Sequence, residues 1–66
     1  MDASEIFERI LKADEKLKYS TETNGAVRRQ QAIDLLRQAL ADADSIQNQP
    51  LADQVKVRLM DLGEPP

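Results

Sequence analysis

The sequence predicts a small all-α protein, a bundle of three antiparallel helices. Three observations carry that expectation. Apolar residues recur three and four apart in three separate stretches, which is the period of an amphipathic helix. Polar and turn-forming residues interrupt the pattern twice, at residues 20–25 and 47–50. No stretch alternates apolar and polar residues in the manner of a strand. With 66 residues the chain makes one domain, residues 1–66, near the lower size limit for a self-supporting core.

The first helix is expected over about residues 3–19. Asp2-Ala3-Ser4-Glu5 has the spacing of a capping box, with Asp2 as the cap and Glu5 three residues on. Ile6, Phe7, Ile10, Ala13 and Leu17 then recur at helical spacing, with Leu11 at the edge, while Lys12, Glu15 and Lys16 take the other side. Six polar or small residues, Ser20 through Gly25, end the pattern. Asn24-Gly25 is a strong turn signal, and Thr23 or Asn24 is placed to cap the second helix.

That second helix, about 26–46, is the most informative segment. Leu35, Ile46, Ala39, Ala32, Ala43, Leu36, Leu40 and Ile33 cover an arc of roughly 160°, whereas a surface helix shows one nearer 100°. So broad an arc fits a helix wedged between two neighbours, with alanines that let them approach closely. Gln47-Asn48-Gln49-Pro50 makes a short connection, and Pro50 suits the start of a third helix over about 50–62. Leu51, Ala52, Val55, Leu59 and Leu62 form its apolar face. Gly63 fits the left-handed position beyond a helix end, and Glu64-Pro65-Pro66 prevents continuation. Fourteen larger apolar residues are candidates for the core: Ile6, Phe7, Ile10, Leu11, Leu17, Ile33, Leu35, Leu36, Leu40, Ile46, Leu51, Val55, Leu59 and Leu62.

Short loops make neighbouring helices antiparallel, which sorts the charges. Lys12, Lys16, Lys18, Arg28 and Arg29 gather at the end carrying the first loop. Asp2, Glu5, Glu8, Asp42, Asp44 and Asp53 gather at the other. The second helix thus carries cations at its N-terminus and anions at its C-terminus, against its own macrodipole. These charges either form a solvated surface or make one end a docking face for an oppositely charged partner.

Composition narrows the function. Histidine, cysteine and tryptophan are absent, which removes the usual general base, the thiol nucleophile and most transition-metal ligand sets. Ser4, Ser20 and Ser45 fall at predicted helix ends with no base in view, so capping is their simpler role. Asp42, Asp44 and Asp53 occupy the first, third and twelfth places of a calcium loop. Ile46 and Gln47 then stand where a ligand and a glycine are required, and the pattern fails. No catalytic activity, cofactor or metal is expected. The net charge of −3 opposes nucleic acid and anionic membranes. The N-terminus lacks a signal-peptide pattern, no apolar run approaches the length of a membrane span, and a cytoplasmic setting is expected. Off-face apolar residues are the better clue. Tyr19 projects opposite the stripe of its helix, and Val57 and Met60 fall roughly 140–200° from the middle of the third apolar face. Each is either an isolated exposed side chain or part of an association surface.

The run Ala32-x-x-x-Leu36-x-x-Ala39 resembles the small–large–small signature in the second helix of a tetratricopeptide repeat, and Leu59-x-x-x-Gly63 is similar to the end of the next repeat's first helix. The resemblance covers about residues 26–63. It implies a helical hairpin with a closing helix and binding of a protein segment. The three-helix microtubule-interacting-and-trafficking type of domain shares the architecture without a decisive motif here. The function expected is therefore protein–protein contact, with a protein partner or as a homo-oligomer, through Tyr19, Val57 and Met60. The alternative is a small transcriptional or nucleic-acid-associated regulator using Arg28 and Arg29.

Overall fold

The computed structural model describes residues 2–19 and 23–65. It contains α1 (Ala3–Lys18), α2 (Gly25–Ser45) and α3 (Gln49–Asp61), and the described residues form no strand. Each helix lies within a residue of its expected bounds. Ser20, for which a capping role was expected, lies outside the described residues, as do Thr21, Glu22 and Pro66.

Local chemistry sets most of the helix ends. The Asp2 carboxylate accepts a hydrogen bond from the Glu5 amide at 2.9 Å, satisfying one of the unpaired donors that open α1. Asn24 occupies the capping position of α2, one of the two residues expected there, but makes no side-chain capping hydrogen bond. The ends of α2 and α3 share one geometry. The Gln47 amide donates to the Asp44 carbonyl and the Asn48 amide to the Ala43 carbonyl, at 3.1 and 2.8 Å. In α3 the Gly63 amide donates to Met60 and the Glu64 amide to Leu59, each at 2.9 Å. Both are Schellman closures, which need a left-handed residue after the cap. Gly63 supplies it at φ 76°, as its position predicts, whereas at the end of α2 a glutamine, Gln47, takes φ 57°.

Asn48 serves two helices. Its amide closes α2, and its side-chain oxygen accepts from the Leu51 amide at 3.2 Å to open α3. Pro50 comes in the first turn, where its missing N–H leaves no helical bond unmade. The connection is thereby reduced to Ile46, Gln47 and Asn48.

Cross-chain bonds fix the packing directions. Arg28, early in α2, reaches Lys16, late in α1, and Arg29 reaches Leu62 just beyond α3. Both neighbours of α2 are therefore antiparallel to it. α2 packs along both of them, and α1 meets α3 more sparsely. The core consists of Ile6, Ile10 and Ala13 from α1, Ala32, Ile33, Leu36, Ala39 and Ala43 from α2, and Leu51, Ala52, Val55 and Leu59 from α3. Leu17, Leu35, Leu40 and Leu62 pack against it partly buried. The broad arc of α2 is occupied on both sides, as a central helix requires.

Three expected core residues lie elsewhere. Phe7 and Leu11 are 43% and 45% exposed, and Ile46 is exposed as well. α1 sits at the edge of the trio and needs one seam, which Ile6, Ile10, Ala13 and Leu17 already fill at four–three–four spacing. Phe7 and Leu11 stand about 110° around the helix from that seam. Ile46 is the cap residue ending α2, past the last buried turn.

Two side-chain bridges tie α1 down. Arg9 pairs with Asp42 of α2. Arg58 of α3 grips Asp14 with both ends of its fork, Nε to Oδ1 at 3.0 Å and Nη2 to Oδ2 at 3.0 Å.

Two substitutions test this packing. Leu36 is fully buried in the middle of α2, so Leu36→Asp removes more than about 4 kcal/mol and abolishes the helical circular dichroism signal at 25 °C. Gln47→Gly releases the left-handed strain and raises stability by about 0.5–1 kcal/mol, read as a rise of about 3–8 °C in the thermal midpoint.

Candidate functional site

The residues singled out from the sequence fall into two kinds. Val57 and Met60, three apart on α3, are 57% and 65% exposed and share its outer side. Tyr19 ends α1 and is 59% exposed, with the Lys18 ammonium 5.4 Å from its ring centroid. It belongs to a different helix, and no bond joins it to the α3 pair. The geometry thus assembles Val57 with Met60 and leaves Tyr19 apart.

Arg28 and Arg29 do work within the fold. Arg28, half-buried, donates its Nε–H to the Lys16 carbonyl at 3.2 Å. Arg29 donates to the Leu62 carbonyl and lies 3.6 Å from the Glu64 carboxylate, which Arg37 also approaches at 3.4 Å. Antiparallel packing explains the placement. The N-terminus of α2 lies between the C-terminal ends of α1 and α3, whose last carbonyls lack helical partners. Cations that oppose the dipole of their own helix therefore complement the dipoles of two neighbours. The charge order that looks unfavourable in α2 alone becomes favourable in the trio.

The two cation types divide the work. Arg9, Arg28, Arg29, Arg37 and Arg58 all bond within the chain, where a rigid fork suits carboxylates and carbonyls. Among the described residues Lys12, Lys16, Lys18 and Lys56 enter no ion pair, and the Lys18 ammonium lies over the Tyr19 ring.

The described residues contain no group of three or more carboxylates that could hold a metal ion. Asp42 pairs with Arg9, while Asp53 accepts from the Gln49 amide at 2.7 Å, so the broken calcium-loop spacing is divided between two helices. Two depressions on the surface are open and lined by charged, amide and leucine side chains. One of about 330 Å³ lies between α1 and α2, lined by Lys12, Lys16, Gln31, Asp34, Leu35 and Gln38. Another, of about 470 Å³, runs along α1 beside Glu5, Glu8, Arg9, Leu11, Lys12 and Glu15. Neither contains a nucleophile next to a base.

Phe7, Leu11 and Val27 are exposed apolar residues that sequence reasoning missed as surface. For the first two the signal is angular, since both lie off the seam that Ile6 and Ile10 define. Comparison of the chain with protein-family models, curated proteins and solved structures found no match.

Because Arg28 holds a carbonyl at the end of α1, Arg28→Ala lowers stability by about 1 kcal/mol in denaturant titration. Arg28→Lys recovers only part of that loss, since an ammonium cannot reproduce the Nε–H direction.

Proposed function

We propose that this chain acts by protein–protein contact and performs no catalysis, and that the outer side of α3 around Val57 and Met60 is a contact face. One observation carries the reading. Among the described residues, the large apolar side chains withdrawn from solvent are Ile6, Ile10, Ile33, Leu36, Leu51, Val55 and Leu59. Those standing in it are Phe7, Leu11, Tyr19, Val27, Ile46, Val57 and Met60, while Leu17, Leu35, Leu40 and Leu62 are partly buried against the core. Single exposed apolar residues are ordinary, but pairs sharing a helix face in so small a protein favour association. The thin core adds to this, because surface covered by a partner stabilises the folded state by mass action.

The tetratricopeptide-like reading belongs to the same proposal. Its supports are the full burial of Ala32, Leu36 and Ala39 and the left-handed Gly63 that ends α3. The nucleic-acid reading is the weaker alternative, because Arg28 and Arg29 are engaged inside the fold and the net charge is negative.

The test is a Val57→Glu, Met60→Glu double variant. It retains the wild-type melting curve to within about 0.5 kcal/mol, as exposed positions should, and loses proteins that the wild type captures from its own cells. Identical capture by both chains removes this face from consideration, and a collapsed fold assigns both residues to the core.

A further inference from the structure

The turn that opens α2 holds Asn24 and Gly25, the one pair in the chain in which an amide side chain precedes a glycine nitrogen. We infer that Asn24 is a self-modifying site: in the folded chain it converts to aspartate and isoaspartate through a cyclic imide formed with the Gly25 nitrogen. The inference does not depend on the α3 contact face.

The step needs only water and hydroxide, and nothing is oxidised or reduced. The Gly25 nitrogen, deprotonated by hydroxide, attacks Cγ of the Asn24 side chain. A C–N bond forms, the bond from Cγ to the side-chain nitrogen breaks, and that nitrogen takes a proton from water and leaves as ammonia. Water then opens the five-membered ring at either carbonyl. One opening gives aspartate. The other gives isoaspartate, with the main chain routed through Cγ.

The fold permits this reaction and slows it. Gly25 stands at the first position of α2, where the helix itself supplies no acceptor for its N–H, so the attack costs no helical hydrogen bond. A β-carbon at Gly25 would meet nothing within 4 Å, so packing does not obstruct the approach. Asn24, however, has φ −120° and ψ 10°. Ring closure needs Cβ eclipsed with the Gly25 nitrogen, at ψ of about −120°, so the native turn holds the reacting atoms about 130° of rotation apart. The Arg28 amide holds the Asn24 carbonyl at 2.9 Å, which keeps that peptide group with α2, and the rotation falls on the Thr23 side of the turn. The core residues nearest in sequence are Ala13 and Ala32, so the opening is local.

Asn48 is the contrast. Its main-chain N–H closes α2 on the Ala43 carbonyl at 2.8 Å, and its side-chain oxygen accepts from the Leu51 amide at 3.2 Å. The residue after it, Gln49, carries a side chain. Asn48 therefore keeps its amide. At Asn24 the aspartate product adds a negative charge to the net −3, at a helix start whose dipole favours it. Isoaspartate instead lengthens the main chain by a carbon and displaces the carbonyl that Arg28 holds.

Incubation of the native chain in mildly alkaline buffer, followed by peptide mapping in a mass spectrometer, tests the inference. The Asn24 peptide gains the mass of an amide-to-acid exchange and splits into two products, one co-eluting with the same peptide from the Asn24→Asp variant. The Asn48 peptide is unchanged. Gly25→Ala, which the open space accommodates, slows conversion at least about tenfold in folded and urea-unfolded chains alike, because the added β-carbon crowds the attacking nitrogen. The folded wild type converts more slowly than the chain in urea, yet the ratio of the two rates exceeds the unfolded fraction read from exchange of the Leu36 amide. An unchanged Asn24 in the folded chain, equal conversion at Asn48, or a rate indifferent to Gly25→Ala overturns the inference. So does a folded rate equal to that in urea, or a rate ratio no greater than the unfolded fraction.

Discussion

One helix has to satisfy two interfaces at once, and the rest of the structure is arranged around that demand. α2 meets α1 on one side and α3 on the other, while α1 and α3 meet sparsely. A helix in that position cannot use large side chains everywhere, because bulk toward one neighbour pushes the other away. Its buried set is accordingly mixed. Ala32, Ala39 and Ala43 set close approach, and Ile33 and Leu36 fill the space between helices. The alanines contribute little apolar area of their own. Their value lies in the contacts they permit between backbones and the side chains of Ile6, Ile10, Val55 and Leu59.

The same central position decides the electrostatics. In an up–down–up trio, the start of the middle helix lies between two helix ends that present bare carbonyls. Arg28 and Arg29 are adjacent in sequence, and adjacent residues on a helix point about 100° apart. One therefore reaches α1 and the other α3. Two consecutive arginines that resemble a basic patch in the sequence become staples to opposite sides of the fold. Among the described residues the lysines make no such bridge between helices, and three of the four lie along α1.

Much of the fold was legible because local rules and tertiary demands agreed. The Asp2 cap, Pro50 and Gly63 each sit where backbone chemistry wants them, and the breadth of the α2 arc announced two neighbours. Gln47 could not be read, since nothing in a glutamine announces a left-handed backbone. The closing bonds to Ala43 and Asp44, together with the need to start α3 at Asn48, impose it. Phe7 and Leu11 were assigned to the core because they are apolar and lie near the seam. Burial depends on angle and on the number of neighbours, and an edge helix has too few to cover them. Val57 and Met60 were legible as surface for the converse reason, standing far around α3 from its apolar face. The roles of Arg28 and Arg29 required knowing which helix ends meet, which no single helix shows.

Stability and association are coupled here through what the core leaves out. A domain this short withdraws few large side chains, and the helices at its edges carry others that a fourth helix would cover in a longer chain. Such a helix can come from another molecule, and the two edge helices offer different terms to it. α3 shows a bare apolar pair, Val57 and Met60, on its outer side. α1 shows Phe7 and Leu11, with Glu8, Arg9, Lys12 and Glu15 lining the surface beside Leu11. Apolar area rewards any complementary surface, whereas charges beside it restrict which surfaces fit. The α1 pair and the α3 pair lie on different helices, so covering one leaves the other exposed.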